Sequence, residues 1–367
     1  MKKVGIITFH NVPNYGAFLQ AYALQTKLSN LDYDNVIINY INPDITNRYM
    51  PIDITNFLTL VKSFVKIFIK PQRVIRYYIF QEQISKYMVL TDKIKLKNDV
   101  INEFKKFDVL ITGSDQVWNS DITNGLSDIY TLNINDRNIK KISYAASVGN
   151  KISENQGYLF EKKLLNLNHI SVREKTTKQE LKKIIKDKDI FEVIDPTLLL
   201  RRAEWDSIIS NINRNNFNNK YIFIYELTPN DEFKKIVNTI QSKTGLPIYC
   251  LSTNRKAYKN CKYKDLSTPF EFVNYIKNAE YIVTTSFHAT VFSIIFNKKF
   301  WVVPHKTTGS RVTDLLKKLD ISNRAVNSLD EFKKINFDDD IDYENVNKIL
   351  EKERKKSINW LIDAIEK

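Results

Sequence analysis

Residues 281–296, YIVTTSFHATVFSIIF, carry the strongest chemical signature in this sequence. Their apolar start predicts a strand, and the run from about Phe287 predicts a helix for which Ser286 is a suitable N-cap. His288 then lies in the first helical turn, where free backbone N–H groups and the helix dipole favour an anion. A histidine there can bind phosphate or act as a general acid and base near neutral pH; the alternative is a histidine that merely caps or packs.

A second polar segment, residues 111–119, reads ITGSDQVWN and also ends a predicted strand. Gly113 permits close approach to the backbone. Asp115 could bind an acceptor substrate or act as a base; the alternative is a plain helix N-cap. Trp118 offers a flat face of the kind on which sugars stack. The candidate substrate-binding residues of this segment are Ser114, Gln116, Trp118 and Asn119.

Further candidates follow other predicted strands. The loop of residues 9–17 precedes a helix and is a phosphate- or substrate-loop candidate, although its single glycine does not match GxGxxG. Arg173 ends a predicted strand, where it could form a bidentate pair with a carboxylate or phosphate, or a structural salt bridge near Glu174. Arg311 lies beside another predicted helix start. The remaining substrate-binding candidates are Asn14, Tyr15, Gly16, Ser147, Ser286 and Arg311 itself.

The elements that must position these residues are short apolar runs alternating with helical patterns, which is typical of parallel sheets covered by helices. We expect a first series of strands at residues 4–9, 36–40, 108–112, 142–145, 170–173 and 192–194. After a polar, Asn-rich linker at residues 211–220, we expect a second series at 221–226, 248–251, 281–284 and 300–303.

Two series of strands predict an α/β fold with two Rossmann-like domains facing across a cleft, the GT-B-like class. The N-terminal, acceptor domain is predicted at residues 1–212, with an amphipathic helical insertion at about 52–90. The C-terminal, donor domain is predicted at 220–342, and a helix at 343–367 is expected to pack back on the first domain. Several polar strand ends would then converge on one cleft.

The insertion contains a basic amphipathic stretch at residues 57–90. Lys62, Lys66 and Lys70 recur at a spacing of four and therefore line one face of a helix. Such a helix could lie in the headgroup region of an anionic membrane, with its lysines toward the lipids. The alternative is a helical hairpin packed on the first domain or on a partner subunit.

Composition narrows the function classes. The net charge of +14 is spread along helices that mix acidic and basic residues, and no nucleic-acid-binding motif accompanies it, so we expect no nucleic-acid partner. No apolar run suggests a signal peptide or a spanning helix, which favours a cytoplasmic protein, with peripheral contact to the inner face of the plasma membrane as an option. The two cysteines, Cys250 and Cys261, indicate neither a disulfide framework nor a metal site.

Taken together, these segments resemble the polysaccharide pyruvyl transferase family over essentially the whole chain. The motifs are Asn-Tyr-Gly-Ala at 14–17, Gly-Ser-Asp-Gln-Val-Trp-Asn at 113–119, Ser-Tyr-Ala-Ala-Ser-Val-Gly at 143–149, Ser-Val-Arg-Glu at 171–174, Asp-Pro-Thr at 195–197 and Ser-Phe-His-Ala-Thr at 286–290. The resemblance implies transfer of a pyruvyl group from phosphoenolpyruvate, without a cofactor, to a sugar of a bacterial surface polysaccharide, such as an exopolysaccharide or capsule, or its lipid-linked precursor. The family's catalytic histidine falls on His288 and a donor-binding arginine on Arg173.

Two departures from the family pattern affect the donor. Many members carry Arg-Leu-His where this chain has Ser286-Phe-His288, and many carry Asn-x-Gly-Asp where this chain has Ala17. Arg311 could supply the missing positive charge. A GT-B-type glycosyltransferase that uses a nucleotide sugar is therefore an alternative, and a non-catalytic assembly protein is a second one.

Overall fold

A computed structural model describes residues 2–47, 49, 71–212, 219–252, 258, 261–305, 309–337 and 339–367. The chain forms two compact units. The first comprises Met1–Leu199 together with Glu353–Lys367, and the second comprises Leu200–Lys352. Each unit contains one parallel sheet.

The sheet of the first unit has the strand order β2-β1-β3-β4-β5-β6, and every neighbouring pair is parallel. Its strands are β1 (Lys3–Ile7), β2 (Asp34–Ile37), β3 (Val109–Thr112), β4 (Lys140–Ala146), β5 (His169–Val172) and β6 (Ile190–Glu192). The helices of this unit are α1 (Tyr15–Ser29), α2 (Pro43–Thr46), α3 (Pro71–Tyr87), α4 (Lys97–Phe104), α5 (Ser120–Thr123), α6 (Glu154–Leu164) and α7 (Lys175–Ile184), with a 3₁₀ turn at Pro196–Leu198.

The chain direction across this sheet reverses between β1 and β3. From β1 the chain crosses to β2 on one side, then returns to β3 on the other side of β1. Such a reversal separates the loops at the carboxyl ends of the two strands and leaves a crevice, where ligands of this fold type bind. In the first unit, those loops begin after Ile7 and after Thr112, which pair directly.

The sheet of the second unit has the order β11-β10-β7-β8-β9, again with parallel neighbours. Its strands are β7 (Ile222–Glu226), β8 (Ile248–Ser252), β9 (Cys261–Tyr263), β10 (Tyr281–Thr284) and β11 (Lys299–Val302). The helices are α8 (Arg202–Ile212), α9 (Asp231–Thr244), α10 (Pro269–Asn278), α11 (Phe287–Ile295), α12 (Ser310–Lys318) and α13 (Leu329–Lys334), with a 3₁₀ turn at Ser322–Arg324. Here the direction reverses between β7 and β10.

Both sheets are buried by helices on their faces, as the near-continuous apolar strands require. In the second unit, Ile222 and Ile224 point to one face with Val283, and Phe223 and Tyr225 point to the other. This alternation follows from the two-residue period of a strand.

Helix α14 (Tyr343–Glu366) contributes to both units, because residues from Glu353 onward belong to the first. Its end is held at the amino edge of the first sheet. Lys2 Nζ donates to the carbonyl oxygen of Ile365 at 2.7 Å, and Lys140 Nζ donates to the same oxygen at 3.0 Å. These lysines also complement the negative end of the helix dipole.

The predicted strands are all present, with ends that differ by no more than a few residues, and the structure adds β9, which the sequence did not predict. Residues 200–212, assigned by sequence to the N-terminal domain, belong to the second unit, because Trp205 of α8 packs edge-on against Phe292 at 4.9 Å.

The amphipathic insertion is only partly described. Residues 50–70, which include Lys62, Lys66 and Lys70, lie outside the described residues. Within the described part, α3 packs on the first unit through Phe80, whose ring lies 5.2 Å from that of Tyr15. Among the helices that the structure describes, none is both long and apolar enough to cross a membrane.

Candidate active site

The two loops at the reversal point of the first sheet are joined by a buried hydrogen bond. Thr8 Oγ1 donates to the carbonyl oxygen of Ser114 at 3.0 Å, and Gln20 Nε2 donates to Thr8 Oγ1 at 2.9 Å. Asn14 caps helix α1, since its side-chain oxygen accepts from the N–H groups of Gly16 at 2.9 Å and Ala17 at 3.2 Å. Thr8, which precedes the predicted loop of residues 9–17, thus contacts the start of the 113–119 segment.

Asp115 lies at this reversal point and is half-buried. Its φ of 73° is in the left-handed region, which aspartate tolerates better than most residues. Its carbonyl oxygen accepts a hydrogen bond from Ser147 N at 2.9 Å, which continues the pairing of β3 with β4 beyond the regular strands. Backbone contacts therefore fix Asp115 and leave its carboxylate as a candidate base.

Arg173 lies at the end of β5 in a buried network of carboxylates. Its Nε donates to Glu174 Oε1 at 2.9 Å, and its Nη1 donates to Asp195 Oδ2 at 2.7 Å. Asp195 Oδ1 also accepts from Thr197 Oγ1 at 2.6 Å, and Asp195 Oδ2 accepts from Ser114 Oγ at 3.5 Å. The network therefore connects the carboxyl ends of β3, β5 and β6.

The charge state of Arg173 follows from these neighbours. Burial alone would lower the pKa of the guanidinium, but nearby carboxylates outweigh burial and raise the pKa above its usual value. Those carboxylates, in decreasing order of effect, are Glu174, Asp195 and Asp115. Arg173 forms a structural salt bridge with Glu174 and Asp195 through two of its three guanidinium nitrogens, and its binding of a donor stays a prediction.

Trp118 corrects one expectation. Its side chain is fully buried, and its Nε1 donates to the carbonyl oxygen of Tyr130 at 3.0 Å. The prediction that its indole face is open to a sugar is wrong, because that face belongs to the core of the first unit. Tyr15 is likewise fully buried, with the Arg76 guanidinium 4.8 Å above its ring.

The other substrate-binding candidates of residues 113–149 form hydrogen bonds within the protein. Asn119 caps the short helix α5 through a hydrogen bond from Asp121 N at 3.0 Å, and its Nδ2 donates to Gln116 Oε1 at 2.9 Å. Ser147 is fully buried, and its Oγ accepts from Gly149 N at 3.2 Å. Gln116, which directly follows Asp115 in the sequence, has a half-buried side chain.

His10 is a buried histidine in the first loop. Its Nδ1 lies 3.2 Å from the carbonyl oxygen of Thr8, and its Nε2 lies 3.1 Å from Asn39 Oδ1. Burial lowers the pKa of the ring, while the hydrogen bonds to Asn39 and Thr8 oppose that shift. His10 therefore holds the loop after β1 against the chain that follows β2.

His288 lies at the reversal point of the second sheet, in the first turn of α11. Ser286 is the N-cap, and its Oγ accepts from Ala289 N at 3.4 Å, as the sequence predicts. The first turn of α11 contains no acidic residue, whereas α9, which starts at the neighbouring strand end, has Asp231 and Glu232 in its first turn. Of the two helix starts, that of α11 is the one suited to an anion.

Hydrogen bonds join the two loops at this reversal point. Thr284 Oγ1 donates to the carbonyl oxygen of Tyr225 at 2.8 Å, and Leu227 N donates to Thr285 Oγ1 at 2.9 Å. Glu226, at the end of β7, is 3% exposed and accepts from Asn230 N at 3.1 Å. The backbone on either side of the crevice is therefore held before any ligand arrives.

Arg311 lies in the first turn of α12, which follows β11 at the same carboxyl edge of the second sheet. The Gly309 N-cap makes no side-chain capping bond, and the first turn contains no acidic residue. The Arg311 side chain is half-buried. The starts of α11 and α12 thus bring His288 and Arg311 to one edge of one sheet.

Sequence reasoning missed Thr8, Glu174 and Asp195 as parts of the first-unit site, and Glu226 in the second unit. Asp195 was visible within the Asp-Pro-Thr motif, which is typical of a capped turn. Nothing in the local sequence pairs it with Arg173, because 22 residues separate the two. In the described parts of the chain, no group of three or more His, Cys, Asp or Glu side chains is arranged to hold a metal ion.

The family model for polysaccharide pyruvyl transferases matches residues 14–307, which include Asp115 and His288. The chain belongs to this family. No curated protein sequence matches that of this family member.

Solved structures resemble this pyruvyl transferase family member in fold. UDP-GlcNAc 2-epimerase from Neisseria meningitidis bound to UDP-GlcNAc has a TM-score of 0.53 at 11% identity, covering 99% of this chain and 100% of that one. UDP-GlcNAc 2-epimerase from Methanocaldococcus jannaschii has a TM-score of 0.49 at 13% identity, covering 96% of this chain and 92% of that one. The glycosyltransferase SnogD from Streptomyces nogalater has a TM-score of 0.44 at 8% identity, covering 99% of both chains. The predicted class of two Rossmann-like α/β domains, as in GT-B proteins, is confirmed.

Proposed function

We propose that this protein transfers a pyruvyl group from phosphoenolpyruvate to a sugar of a bacterial surface polysaccharide or its lipid-linked precursor, forming a ketal. The observation that carries the proposal is the position of His288. In a chain of the pyruvyl transferase family, this histidine lies in the first turn of a helix at the reversal point of a parallel sheet.

The second unit is proposed to bind the donor. Phosphoenolpyruvate carries a phosphate and a carboxylate, so its site needs positive potential and N–H donors. The start of α11 supplies the positive end of a helix dipole, with no acidic residue in its first turn. Arg311 supplies a full positive charge at the same edge, where Ser286 occupies the position of the family's arginine.

The proposed chemistry needs three proton transfers and no metal. His288 donates a proton to the methylene carbon of the enol, which makes the adjacent carbon electrophilic. A sugar hydroxyl attacks that carbon and gives its proton to Asp115, and the C–O bond to phosphate breaks. A second hydroxyl of the sugar then attacks the same carbon, gives its proton to the released phosphate and closes the ketal. Groups already held in place would stabilise the developing charge without reorganising.

Arg173 is assigned a supporting role in this proposal. Its Nε and Nη1 bind protein carboxylates, and its link through Asp195 to Ser114 supports the residue before the proposed base. The resemblance assigns this arginine to the donor, so the donor KM of Arg173→Lys distinguishes the two roles. A positioning role predicts a lower kcat with little change in that KM.

The rival function is transfer of a sugar from a nucleotide sugar. Ser286 favours it, because an arginine is expected there for phosphoenolpyruvate. Purified protein would be given phosphoenolpyruvate with candidate glycans, and separately nucleotide sugars with the same glycans. Phosphate release that requires both phosphoenolpyruvate and a glycan supports pyruvyl transfer, whereas nucleotide release identifies the rival. A non-catalytic assembly protein would turn over neither donor.

Replacing His288 tests the proposed acid. We expect His288→Ala to lower turnover with phosphoenolpyruvate at least about a hundredfold, because general acid–base catalysis contributes about that much. His305→Ala is the matched control, since His305 is exposed and follows the neighbouring strand β11. Phosphate release is the measurement. A near-normal rate for His288→Ala would exclude the acid role.

The lipid-linked acceptor is proposed to bring the protein to the inner face of the membrane through residues 57–90. The described end of this segment, α3, exposes Ile75 and Tyr78 and carries Arg73, a combination suited to an anionic interface. Co-sedimentation with phosphatidylglycerol vesicles tests this contact, with phosphatidylcholine vesicles as the control. Equal recovery in both pellets, or in neither, would reject it.

A further inference from the structure

Helix α3 contacts the loop that follows β1, residues 9–17, near the start of that loop. Gln81 Nε2 donates to Asn11 Oδ1 at 2.6 Å. Asn11 is buried, and its Nδ2 donates to Asn39 Oδ1 at 3.5 Å. The buried His10 Nε2 lies 3.1 Å from the same oxygen. A chain of polar side chains therefore runs from α3 through the loop to the segment after β2.

The same helix also contacts the point at which this loop passes into α1. The ring of Phe80 lies 5.2 Å from that of Tyr15, and the Arg76 guanidinium lies 4.8 Å from the centre of the Tyr15 ring. Tyr15 directly follows Asn14, the N-cap of α1. Helix α3 therefore holds the loop at two places, one on each side of residues 12–14.

The loop needs such support from outside. Residues 8–14 belong to neither β1 nor α1, so the regular hydrogen bonds of a strand or helix do not hold them. Thr8 ties the start of this stretch to Ser114, which precedes the proposed base. A loop that binds a substrate must keep one conformation, and side chains that pack against it have to enforce that conformation.

We infer that Gln81 is a positioning residue for the acceptor, which acts through Asn11 by holding the loop of residues 9–17 in its binding conformation. This inference rests on the proposed assignment of the first unit to the acceptor. Gln81 lies on the insertion whose exposed residues Ile75 and Tyr78 are proposed to contact the membrane. The insertion would thus serve the acceptor site as well as the lipid surface.

Positioning by Gln81 can be separated from the packing of α3, because the two depend on different side chains. Phe80 and Ile84 are buried and supply the apolar contact of the helix. Gln81 is half-buried, and Gln81→Met removes its N–H donor while keeping a side chain of similar length. Gln72→Met is the same change at an exposed position of the same helix and serves as the control.

Hydrogen exchange on the full-length protein tests the restraint without any substrate. We expect Gln81→Met to speed exchange in peptides that cover residues 9–14 at least about threefold, because the loss of one hydrogen bond makes local opening easier by a factor of that order. Gln72→Met should leave this exchange unchanged, and peptides of the second unit should not respond to either variant. Unchanged exchange of residues 9–14 in Gln81→Met would overturn the inference.

Steady-state kinetics test whether the restraint serves the acceptor. With the donor that supports turnover, Gln81→Met should raise the KM for the glycan acceptor at least about threefold and leave the donor KM unchanged. A merely structural role would not separate the two KM values. Equal rises in both, or an unchanged acceptor KM, would reject the positioning role.

A double-mutant cycle tests the route through Asn11. If Gln81 acts through this residue, the double variant Gln81→Met/Asn11→Ala should have the acceptor KM of Asn11→Ala alone. Independent, additive effects of the two substitutions would exclude that route.

Failure of this inference differs in its outcome from failure of pyruvyl transfer. If a nucleotide sugar proves to be the donor, pyruvyl transfer is rejected, and the same shift of the acceptor KM is expected with that donor. If neither donor turns over, the exchange rates of residues 9–14 alone decide whether Gln81 restrains the loop.

Discussion

Arg173 and Arg201 are arginines with carboxylate partners in opposite environments. The Arg173 side chain is 3% exposed and contacts Glu174 and Asp195, whereas the Arg201 side chain is 59% exposed and contacts Glu351 at 2.7 Å. Water and salt screen an exposed pair, so its net contribution to stability is small. A buried pair is different, because removing one partner leaves an uncompensated charge inside the protein.

The substitution Arg173→Met should therefore lower the free energy of unfolding by about 3–5 kcal/mol. Arg201→Met is the matched control and should lower it by less than about 1 kcal/mol. Equilibrium unfolding in urea measures both. Equal losses for the two variants would show that the Arg173 network does not hold the strand ends together.

At the scale of single elements, the chain after β3 can lie close to β4 because Gly113 has no side chain. Gly113 has a φ of +108°, and a Cβ built there would collide with the carbonyl oxygen of Tyr144 in the neighbouring strand. Backbone atoms cannot move aside as a flexible side chain can. This position sets the path of the chain into Ser114 and Asp115.

Replacing this glycine should accordingly be costly. We expect Gly113→Ala to lower the free energy of unfolding by more than about 1 kcal/mol and to reduce turnover, because it displaces Asp115. Gly157→Ala, within α6, should instead stabilise the protein by about 0.5–1 kcal/mol, since its Cβ would meet nothing closer than Ile184 Cγ1 at 3.9 Å. Urea unfolding and phosphate release, measured on both variants, check this contrast.

The elements that the sequence predicts well are those with strong local signals. Strand β10 and the cap of α11 match the prediction because an apolar run and a serine before a helix act locally. Strand β9 was missed because three residues around Lys262 carry no clear alternation. The partner of Arg173 and the burial of Trp118 were beyond local reasoning, since both depend on segments that only the folded sheet brings together.

At the scale of the whole molecule, the first unit is built from two distant stretches of chain. Leu361 and Ile365 of α14 are fully buried in it, and Ser357 Oγ accepts from Ile194 N at 3.0 Å. The C-terminal end of α14 is therefore part of the core of the first unit.

Truncating a buried residue of this helix tests that assignment. Leu361→Ala should lower the free energy of unfolding by about 2–5 kcal/mol, because it opens a cavity in the core of the first unit. Leu159→Ala on α6, where the leucine is 36% exposed, should cost less than about 1 kcal/mol. Intrinsic fluorescence during urea unfolding follows both, since Trp360 lies next to the mutated position. A small effect of Leu361→Ala would argue against the helix as a core element.

The course of α14 also constrains how the protein is made. The ribosome releases residues 1–199 long before it translates Leu361 and Ile365, so the first unit stays incomplete while the second is synthesised. The second unit is contiguous in sequence and can finish folding first. In a nascent chain stalled before residue 353, the end of α14 is missing and the apolar surface that it covers in the first unit is exposed. We expect chaperones that recognise exposed apolar surface to bind there.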